Sequence, residues 1–194
     1  ASLITPSSLS SYSFKPTSLV YELSSSNPST QLKDNIIISI PYSESEISGI
    51  IEDNLRIYYL DGNYWKLIRK FSIDKSSNII TTELNKIGRY GVFGYIPQGD
   101  VFDDSFVYNY PNPARGDKLT FKFSLNYNAN VEIRVYNIAG EMIAKLEKNN
   151  VLAGSIEEIV WDISKIASGV YIYVFEAKAD GKTKKIDKKL AIIK

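Results

Sequence analysis

Short runs of alternating apolar and polar residues, separated by turn residues, recur along almost the whole chain. In residues 119–125 every second side chain is apolar, and residues 131–135 repeat the pattern. Successive side chains of a strand point to opposite faces, so a period of two is typical of strands that bury one face. Tyr and Ile are abundant, and aromatic and β-branched side chains favour strands. We therefore expect an all-β protein.

The first half contains six such runs, and one pair of them forms a clear hairpin. Residues 55–60 and the run from Tyr64 are separated by Asp61, Gly62 and Asn63, and an Asp-Gly pair supplies the positive φ of a tight reversal. The six runs are residues 19–23, 35–42, 55–60, 64–69, 78–84 and 90–95. Turn residues between them indicate a β-sandwich.

The length of 194 residues exceeds the usual size of one domain, about 100–150 residues. The periodic pattern is interrupted at residues 97–106, which contain a Pro, a Gly and three Asp. We therefore predict two β-sandwich domains in tandem. Residues 1–96 would form the first, residues 97–106 a linker, and residues 107–194 the second domain.

Two segments of the second half need separate interpretation. Residues 169–175 are apolar on both faces, which predicts a strand at the centre of a sandwich. Asp180 and Gly181 then predict a reversal into a last strand at residues 184–193. Residues 155–166 have helical apolar spacing, with Ser155 and Glu158 matching a capping box. They lie between two strands with too few residues for a crossover, so we predict a strand followed by a turn.

The composition argues against most catalytic chemistry. The chain has no Cys and no His, which removes thiolate nucleophiles, the commonest general base and the commonest transition-metal ligands. The adjacent carboxylates Glu157 and Glu158 would point to opposite faces of a strand, and no phosphate-binding glycine motif is present. We predict no catalytic residues, no metal and no cofactor, and hence a protein that is not an enzyme.

Charge and hydropathy further limit the partners. Lys and Arg total 23 against 22 Asp and Glu, so there is no strong field for a nucleic acid. The longest apolar runs are far shorter than the roughly 20 residues that cross a bilayer. We expect no nucleic-acid partner and no membrane span, and the sequence leaves the oligomeric state open.

Four short motifs in the second half follow one another in a distinctive order: residues 109–113, residues 135–141, Trp161 and Asp162 leading to residues 167–171, and residues 188–194. The set resembles the C-terminal sorting domain of type IX secretion cargo, the type A tail, over residues 107–194. The Ig-like domain of the flagellar hook-capping protein is similar too, so both likenesses imply an Ig-like fold. Within these motifs the candidate sorting residues are Tyr110, Pro111, Asn112, Pro113, Tyr136, Gly140, Gly169, Tyr171, Lys188, Lys189 and Lys194.

Each motif also has a purely structural interpretation. The two prolines lack an N–H and restrict their neighbours to extended conformations, which indicates a stiff entry to a strand. Gly140 would take positive φ in a hairpin turn. Gly169 would allow close approach of the chain, and Tyr171 would pack with Trp161 in the core. For the prolines, the structural role and a receptor-read signal have about equal weight.

The last strands are strongly basic. Seven Lys stand against two Asp between residues 178 and 194. Lysines on an exposed strand block edge-to-edge pairing, which is one interpretation. The resemblance implies another, in which the export machinery reads this hairpin through an acidic surface.

The first half resembles the latter part of a β-sandwich module of bacterial surface proteins that is related to a domain of ankyrins and netrin receptors. The early strands of that module are missing, so we expect the chain to be a fragment of a longer protein. The resemblances together imply a non-catalytic, secreted or cell-surface protein that travels through the periplasm. Its partners would be the outer-membrane secretion machinery and a processing protease. The alternative is a structural or adhesive surface module that binds a glycan or a partner protein.

Overall fold

The computed structural model describes residues 13–25 and 32–194, and these residues are almost entirely in strands and turns. The prediction of an all-β protein is confirmed. Two short 3₁₀ turns, Glu52–Asn54 and Asp104–Phe106, are the helical segments of the described residues. The strands are β1 (Ser13–Leu23), β2 (Ile36–Pro41), β3 (Leu55–Asp61), β4 (Tyr64–Leu67), β5 (Phe71–Asp74), β6 (Ile79–Leu84), β7 (Gly88–Ile96), β8 (Tyr108–Tyr110), β9 (Ala114–Arg115), β10 (Lys118–Ser124), β11 (Ala129–Tyr136), β12 (Met142–Val151), β13 (Ile156–Asp162), β14 (Gly169–Ala179) and β15 (Lys182–Ile193).

The chain divides into two compact units, Ala1–Ile96 and Pro97–Lys194. The first unit has a four-stranded sheet in the order β1-β7-β3-β4 and a three-stranded sheet in the order β2-β6-β5. All pairs in both sheets are antiparallel. The predicted hairpin is present, because Asp61 pairs with Tyr64 and Gly62 has a φ of 60°.

The four-stranded sheet of the first unit is buried on both faces. On one face Leu55, Ile57 and Val92 join Ile80 of the other sheet in the core. On the opposite face Tyr58, Trp65 and Phe93 form an aromatic cluster. The ring centroids of Tyr58 and Trp65 lie 5.3 Å and 5.1 Å from that of Phe93. Tyr58 is therefore a core residue, and it does not present the exposed ring that a carbohydrate platform would need.

The second unit pairs a three-stranded sheet with a five-stranded sheet. The strand orders are β13-β10-β8 and β12-β11-β14-β15-β9. All pairs are antiparallel except β15 with β9. The buried side chains of the two sheets meet in one core that includes Phe121, Phe123, Tyr173 and Phe175. We name the five-stranded sheet the hairpin sheet, because it contains the β14–β15 hairpin.

Residues 97–106 lie within the second unit. Val101 and Phe102 are fully buried in its core, and the Phe102 and Phe175 rings meet edge to face at 5.1 Å. The N–H of Asn126 also donates to the carbonyl of Val101 at 2.8 Å. The segment that we predicted to be a linker, because it contains turn residues, therefore contributes two side chains to the core of the second unit.

The segment with helical spacing is a strand. The whole of β13 pairs with β10, from Ser124 opposite Ile156 to Lys118 opposite Asp162. Ser155 does not cap a helix, because its Oγ contacts the carbonyl of Leu152 and the carboxylate of Glu157. A turn follows, in which the Asp162 carboxylate accepts the N–H of Ser164.

A glycine in β7 allows the close packing of the first unit. A Cβ added to Gly94 would overlap the Ile50 side chain, with Cγ2 only 2.7 Å away. We expect Gly94→Ala to lower the free energy of unfolding of the first unit by about 1–3 kcal/mol, because Ile50 must leave its packing position. Thermal unfolding followed by Trp65 fluorescence measures this loss. Gly169→Ala is the matched control.

The Gly169→Ala control tests the same substitution in a strand with room for the methyl group. A Cβ at Gly169 would lie 3.5 Å from the Tyr171 ring, an ordinary contact. The free energy of unfolding of the second unit, followed by Trp161 fluorescence, should therefore stay the same or rise slightly. Equal losses in both variants would contradict the explanation. The contact distance also shows that Gly169 does not provide the close chain approach that we expected from sequence.

Candidate functional site

The Pro-Asn-Pro turn is bonded to the last strand of the hairpin sheet. The Asn112 side chain donates from Nδ2 to the carbonyl of Lys189 at 3.2 Å and accepts the N–H of Ala191 at Oδ1 at 3.0 Å. Directly beyond this point, β9 pairs with Ile192 and Ile193. The amide of Asn112 thus takes the place of a neighbouring strand, and the edge of β15 is covered by the same chain.

Two lysines of β15 bind the segment that precedes β8. The Lys188 ammonium donates to the carbonyls of Asp104 and Val107, both at 2.6 Å. The Lys184 ammonium donates to the carbonyl of Phe102 at 2.9 Å and contacts the carboxylates of Asp104 and Asp100 at 2.9 Å and 3.2 Å. The hydrogen bond to Asp104 raises the pKa of Lys184 despite its partial burial. These two lysines therefore attach residues 100–107 to β15.

Other lysines of the same strand face outward. Side chains alternate along β15, so Lys184 and Lys188 lie on the core side while Lys185 and Lys189 are exposed on the other face. These four lysines thus form two pairs: Lys184 and Lys188 make contacts within the second unit, and Lys185 and Lys189 face solvent. Lys194 joins the internal contacts, because its N–H donates to Ser168 Oγ and its ammonium to the carbonyl of Gly116, both at 2.8 Å.

The remaining motif residues surround the same end of the hairpin sheet. Tyr171 is buried and donates its hydroxyl to the carbonyl of Ala167 at 2.9 Å. Gly140 has a φ of 83° in the turn between β11 and β12. Tyr136 is half-buried on the outer face and pairs with Ile172. Tyr171 and Trp161 both belong to the core of the second unit, and the Trp161 ring stacks on Phe121.

An apolar surface lies beside these residues on the outer face of the hairpin sheet. Tyr136 pairs with Met142 on one side and Ile172 on the other, and Val170 follows on β14. Ile138 in the adjoining turn is 85% exposed, Val170 51% and Ile172 37%. We name Tyr136, Ile138, Met142, Val170 and Ile172 the apolar patch. β14 is the middle strand of the hairpin sheet, as its position at the centre of a sandwich predicts, but its outer face is exposed at Val170 and Ile172.

The charged groups farther along this outer face neutralise one another. Arg134 contacts the carboxylates of Glu176 at 2.8 Å and Glu132 at 3.1 Å. Lys178 contacts Glu176 at 2.8 Å, and this hydrogen bond holds the pKa of Glu176 below its usual value. By contrast, Lys189 pairs with Ile172 and borders the apolar patch. The patch is therefore flanked by positive charge on the β15 side.

The two adjacent pairs of carboxylates, Glu157 with Glu158 and Asp103 with Asp104, are not arranged as a catalytic acid and base. Glu157 is buried and Glu158 is exposed on the opposite face of β13. The carboxylate of Asp103 accepts from Ser105, and that of Asp104 contacts Lys184. Within residues 13–25 and 32–194, no three His, Cys, Asp or Glu side chains are placed to hold a metal ion. The same described residues include no helix with the length and hydropathy to cross a membrane.

The convergence of the four motifs coincides with a match to a known family. Residues 109–189 match the family of secretion system C-terminal sorting domains. The matched range contains every candidate sorting residue except Lys194, and we name the unit that contains it, Pro97–Lys194, the sorting domain. This match supports a C-terminal sorting signal for type IX secretion, and a signal of that kind implies export to the cell surface or secretion.

Several solved structures are also similar to this chain. Dimeric latent PorU from Porphyromonas gingivalis is 16% identical, with 92% of this chain and 20% of that chain covered and a TM-score of 0.41. PorZ, a surface component of the type-IX secretion system of the same organism, is 21% identical, with 54% and 14% covered and a TM-score of 0.37. The Group B Streptococcus pullulanase SAP is 13% identical, with 77% and 21% covered and a TM-score of 0.30. The chain thus spans about a fifth or less of PorU and PorZ, and no curated protein matches it.

The sequence interpretation missed the apolar patch of the sorting domain. Val170 and Ile172 alternate along β14 with Tyr171 and Tyr173, and a period of two assigns the two pairs to opposite faces. This alternation shows that the two pairs lie on different faces of the strand, but it does not show which face is packed against the other sheet. The exposure of the patch follows from the tertiary structure.

The Asn112 contacts of the sorting domain predict a measurable local effect. We expect Asn112→Ala to destabilise the sorting domain by about 1–3 kcal/mol, because the carbonyl of Lys189 and the N–H of Ala191 lose their partner. Hydrogen exchange at the Ala191 amide should accelerate. Asn149→Ala, at an exposed position of β12, is the matched control and should leave that amide unchanged. Unaltered exchange in Asn112→Ala would contradict the role of this side chain.

Proposed function

We propose that residues 97–194 act as a non-catalytic sorting module of a secreted or cell-surface protein, and that the outer-membrane machinery recognises the apolar patch. The observation that supports this most directly is that the family motifs meet around an exposed apolar surface on the hairpin sheet. Exposed apolar patches of this kind mark interaction sites on soluble proteins. The parent protein passes through the periplasm before it reaches this machinery.

The candidate residues divide into two roles in this proposal. Asn112, Lys188 and Tyr171 use their polar atoms on contacts within the sorting domain. They keep the β14–β15 hairpin in place, and they affect the receptor only indirectly, by positioning the apolar patch. Tyr136 and the exposed apolar neighbours of the motifs make the direct contacts.

The charges beside the apolar patch define the partner more closely. Lys189 is exposed on β15 and pairs with Ile172 of the patch, whereas Lys185 lies farther along the strand, opposite Glu176. Complementary charge steers association and fixes register more than it adds affinity. The receptor surface is therefore an apolar groove with carboxylates along one side.

Export of a fused reporter tests the proposal. A periplasmic reporter enzyme is placed ahead of the whole 194-residue chain in a host with a type IX system. The native chain should carry the reporter to the cell surface or the medium. Val170→Glu with Ile172→Glu should reduce export at least tenfold, because charge replaces the apolar contact, and leave thermal unfolding nearly unchanged. About 1.4 kcal/mol of lost binding corresponds to tenfold.

The opposite sheet supplies a matched control. Ile156 and Val160 lie on the outer face of β13, with 61% and 56% of their surface exposed. Ile156→Glu with Val160→Glu should export normally. A reporter that stays periplasmic with the native chain refutes the sorting function itself. Normal export of the Val170 and Ile172 variant refutes only the assignment of the recognition surface.

The burial of Val101, Phe102 and Val107 limits where a protease can cut the folded domain. Gln98, Gly99 and Asp100 are exposed, whereas Val101 and Phe102 are in the core of the second unit. A protease needs an extended, accessible segment, so the folded domain is cut before Val101. Mass analysis of the released domain should give a first residue between 98 and 101. A product that begins at residues 103–107 would contradict this position.

A further inference from the structure

A cleft in the first unit lies apart from the sorting domain. It has a volume of about 460 Å³ and opens at one end of the space between the two sheets, where Tyr59 of β3 pairs with Tyr90 of β7. Leu84 and Tyr90 are buried at its base. Its size is within the range of about 300–1,000 Å³ that is usual for small-ligand sites.

The rim of the cleft is strongly cationic. Arg69 and Lys70 come from the β4–β5 connection and Lys86 from the β6–β7 connection, while Glu83 is the one carboxylate among the lining residues. The Glu83 carboxylate contacts the Lys70 ammonium at 2.8 Å, and this contact holds the pKa of Glu83 below its usual value. The whole chain has a formal net charge of only +1, so the rim is a local concentration of positive charge.

The position of Lys86 is set by aromatic contacts. Its ammonium lies 5.2 Å from the centroid of the Tyr59 ring, within the range of a cation–π contact. Its backbone carbonyl accepts the hydroxyl of Tyr90 at 2.6 Å, which ties the connection to the buried base of the cleft. A positive charge is therefore held above an aromatic wall at the mouth.

The remaining polar groups suit a ligand with many hydroxyls. Asn35 and Asn85 line the same cleft, and each amide can both donate and accept. Aromatic rings contact the C–H face of a sugar, while amides pair with its hydroxyls. Phosphate sites of nucleotides use helix N-termini or glycine-rich loops, and the described lining residues include no helix and no glycine.

We propose that this cleft binds an acidic saccharide, a unit of one or two sugars that carries a carboxylate or a sulfate. The anion meets Lys86 and Arg69, and the sugar ring lies against Tyr59. This binding goes beyond the sorting function and belongs to the other unit of the chain. The first unit would thereby attach the exported protein to an acidic glycan.

Calorimetric titration of the whole chain tests the proposal, with chondroitin 4-sulfate disaccharide as the charged probe and lactose as the neutral one. We expect saturable binding of the sulfated disaccharide at millimolar concentration or below, weakening as salt is added, and much weaker binding of lactose. Arg69→Gln with Lys86→Gln should weaken the binding at least tenfold. Thermal unfolding checks that this variant is folded.

Lys118→Gln with Lys165→Gln is the matched control, because it removes the same charge from exposed positions of the second unit. It should bind like the native chain. Three results would each overturn the proposal: no saturable binding of the sulfated disaccharide, equal binding of lactose, or native affinity in the Arg69 and Lys86 variant. If uridine monophosphate binds more tightly than the sulfated disaccharide, the ligand is a nucleotide and the saccharide proposal is overturned. None of these results depends on export.

Discussion

Replacing Phe175 with alanine is expected to lower the free energy of unfolding of the sorting domain by about 3–5 kcal/mol. Phe175 is fully buried on β14, and its ring centroid lies 5.1 Å from that of Phe102 and 5.0 Å from that of Phe123. The substitution removes contacts with both sheets and with the 97–106 segment, and leaves a cavity where they meet. A native domain has about 5–15 kcal/mol of stability, so most of it could be lost.

Denaturant unfolding distinguishes the two units, because each contains one tryptophan. Trp161 should report an earlier transition in Phe175→Ala, and Trp65 of the first unit an unchanged one. Phe106→Ala is the matched control, since Phe106 is exposed in the second 3₁₀ turn. Its effect should be within about 0.5 kcal/mol. Similar losses in Phe175→Ala and Phe106→Ala would show that the core is not organised around Phe175.

Lys148→Met is expected to cost the sorting domain about 2–3 kcal/mol. The ammonium of Lys148 contacts the buried carboxylate of Glu157 at 2.6 Å, and this contact joins β12 of one sheet to β13 of the other. Removing one partner leaves a charge in a poorly solvated position, which typically costs about 3–5 kcal/mol for a fully buried pair. The expected loss is smaller because 35% of the Lys148 side chain is exposed.

A double variant isolates the cause of the Lys148 effect. Adding Glu157→Gln to Lys148→Met removes the stranded charge, so part of the lost stability should return. Lys145→Met is the surface control, because Lys145 contacts Glu132 and Glu147 on the outer face and such pairs contribute about 0–1 kcal/mol. Additive losses in the double variant would mean that the two side chains act independently.

Period-two alternation predicted most strands correctly, and its failures have specific causes. β5 was missed because its two apolar positions, Phe71 and Ile73, are recognisable as one face of a strand only beside β6. The helical spacing around β13 was misleading for another reason. Ile156 and Val160 are exposed, so two of the residues that created the spacing do not belong to a buried face.

The candidate site was recognised from motifs, but their individual roles were not. Lys188 and Lys189 are neighbours with the same chemistry, yet one ammonium is bonded inside the domain and the other side chain is exposed. Alternation predicts that they differ and leaves open which one faces inward. That choice depends on the carbonyls of residues 104 and 107, more than 80 positions earlier in the chain.

By itself the sequence determined the all-β class and the hairpin turns, because local alternation and glycine conformation leave few other backbones, and the order of its four motifs indicated a sorting domain through their resemblance to that family. Only the tertiary structure decided what each motif does. The bond between Asn112 and Ala191 joins residues 79 positions apart, and the open face of β14 depends on which surfaces other sheets cover. Contacts between distant segments arise when sheets pack, and no local pattern specifies which segments will meet.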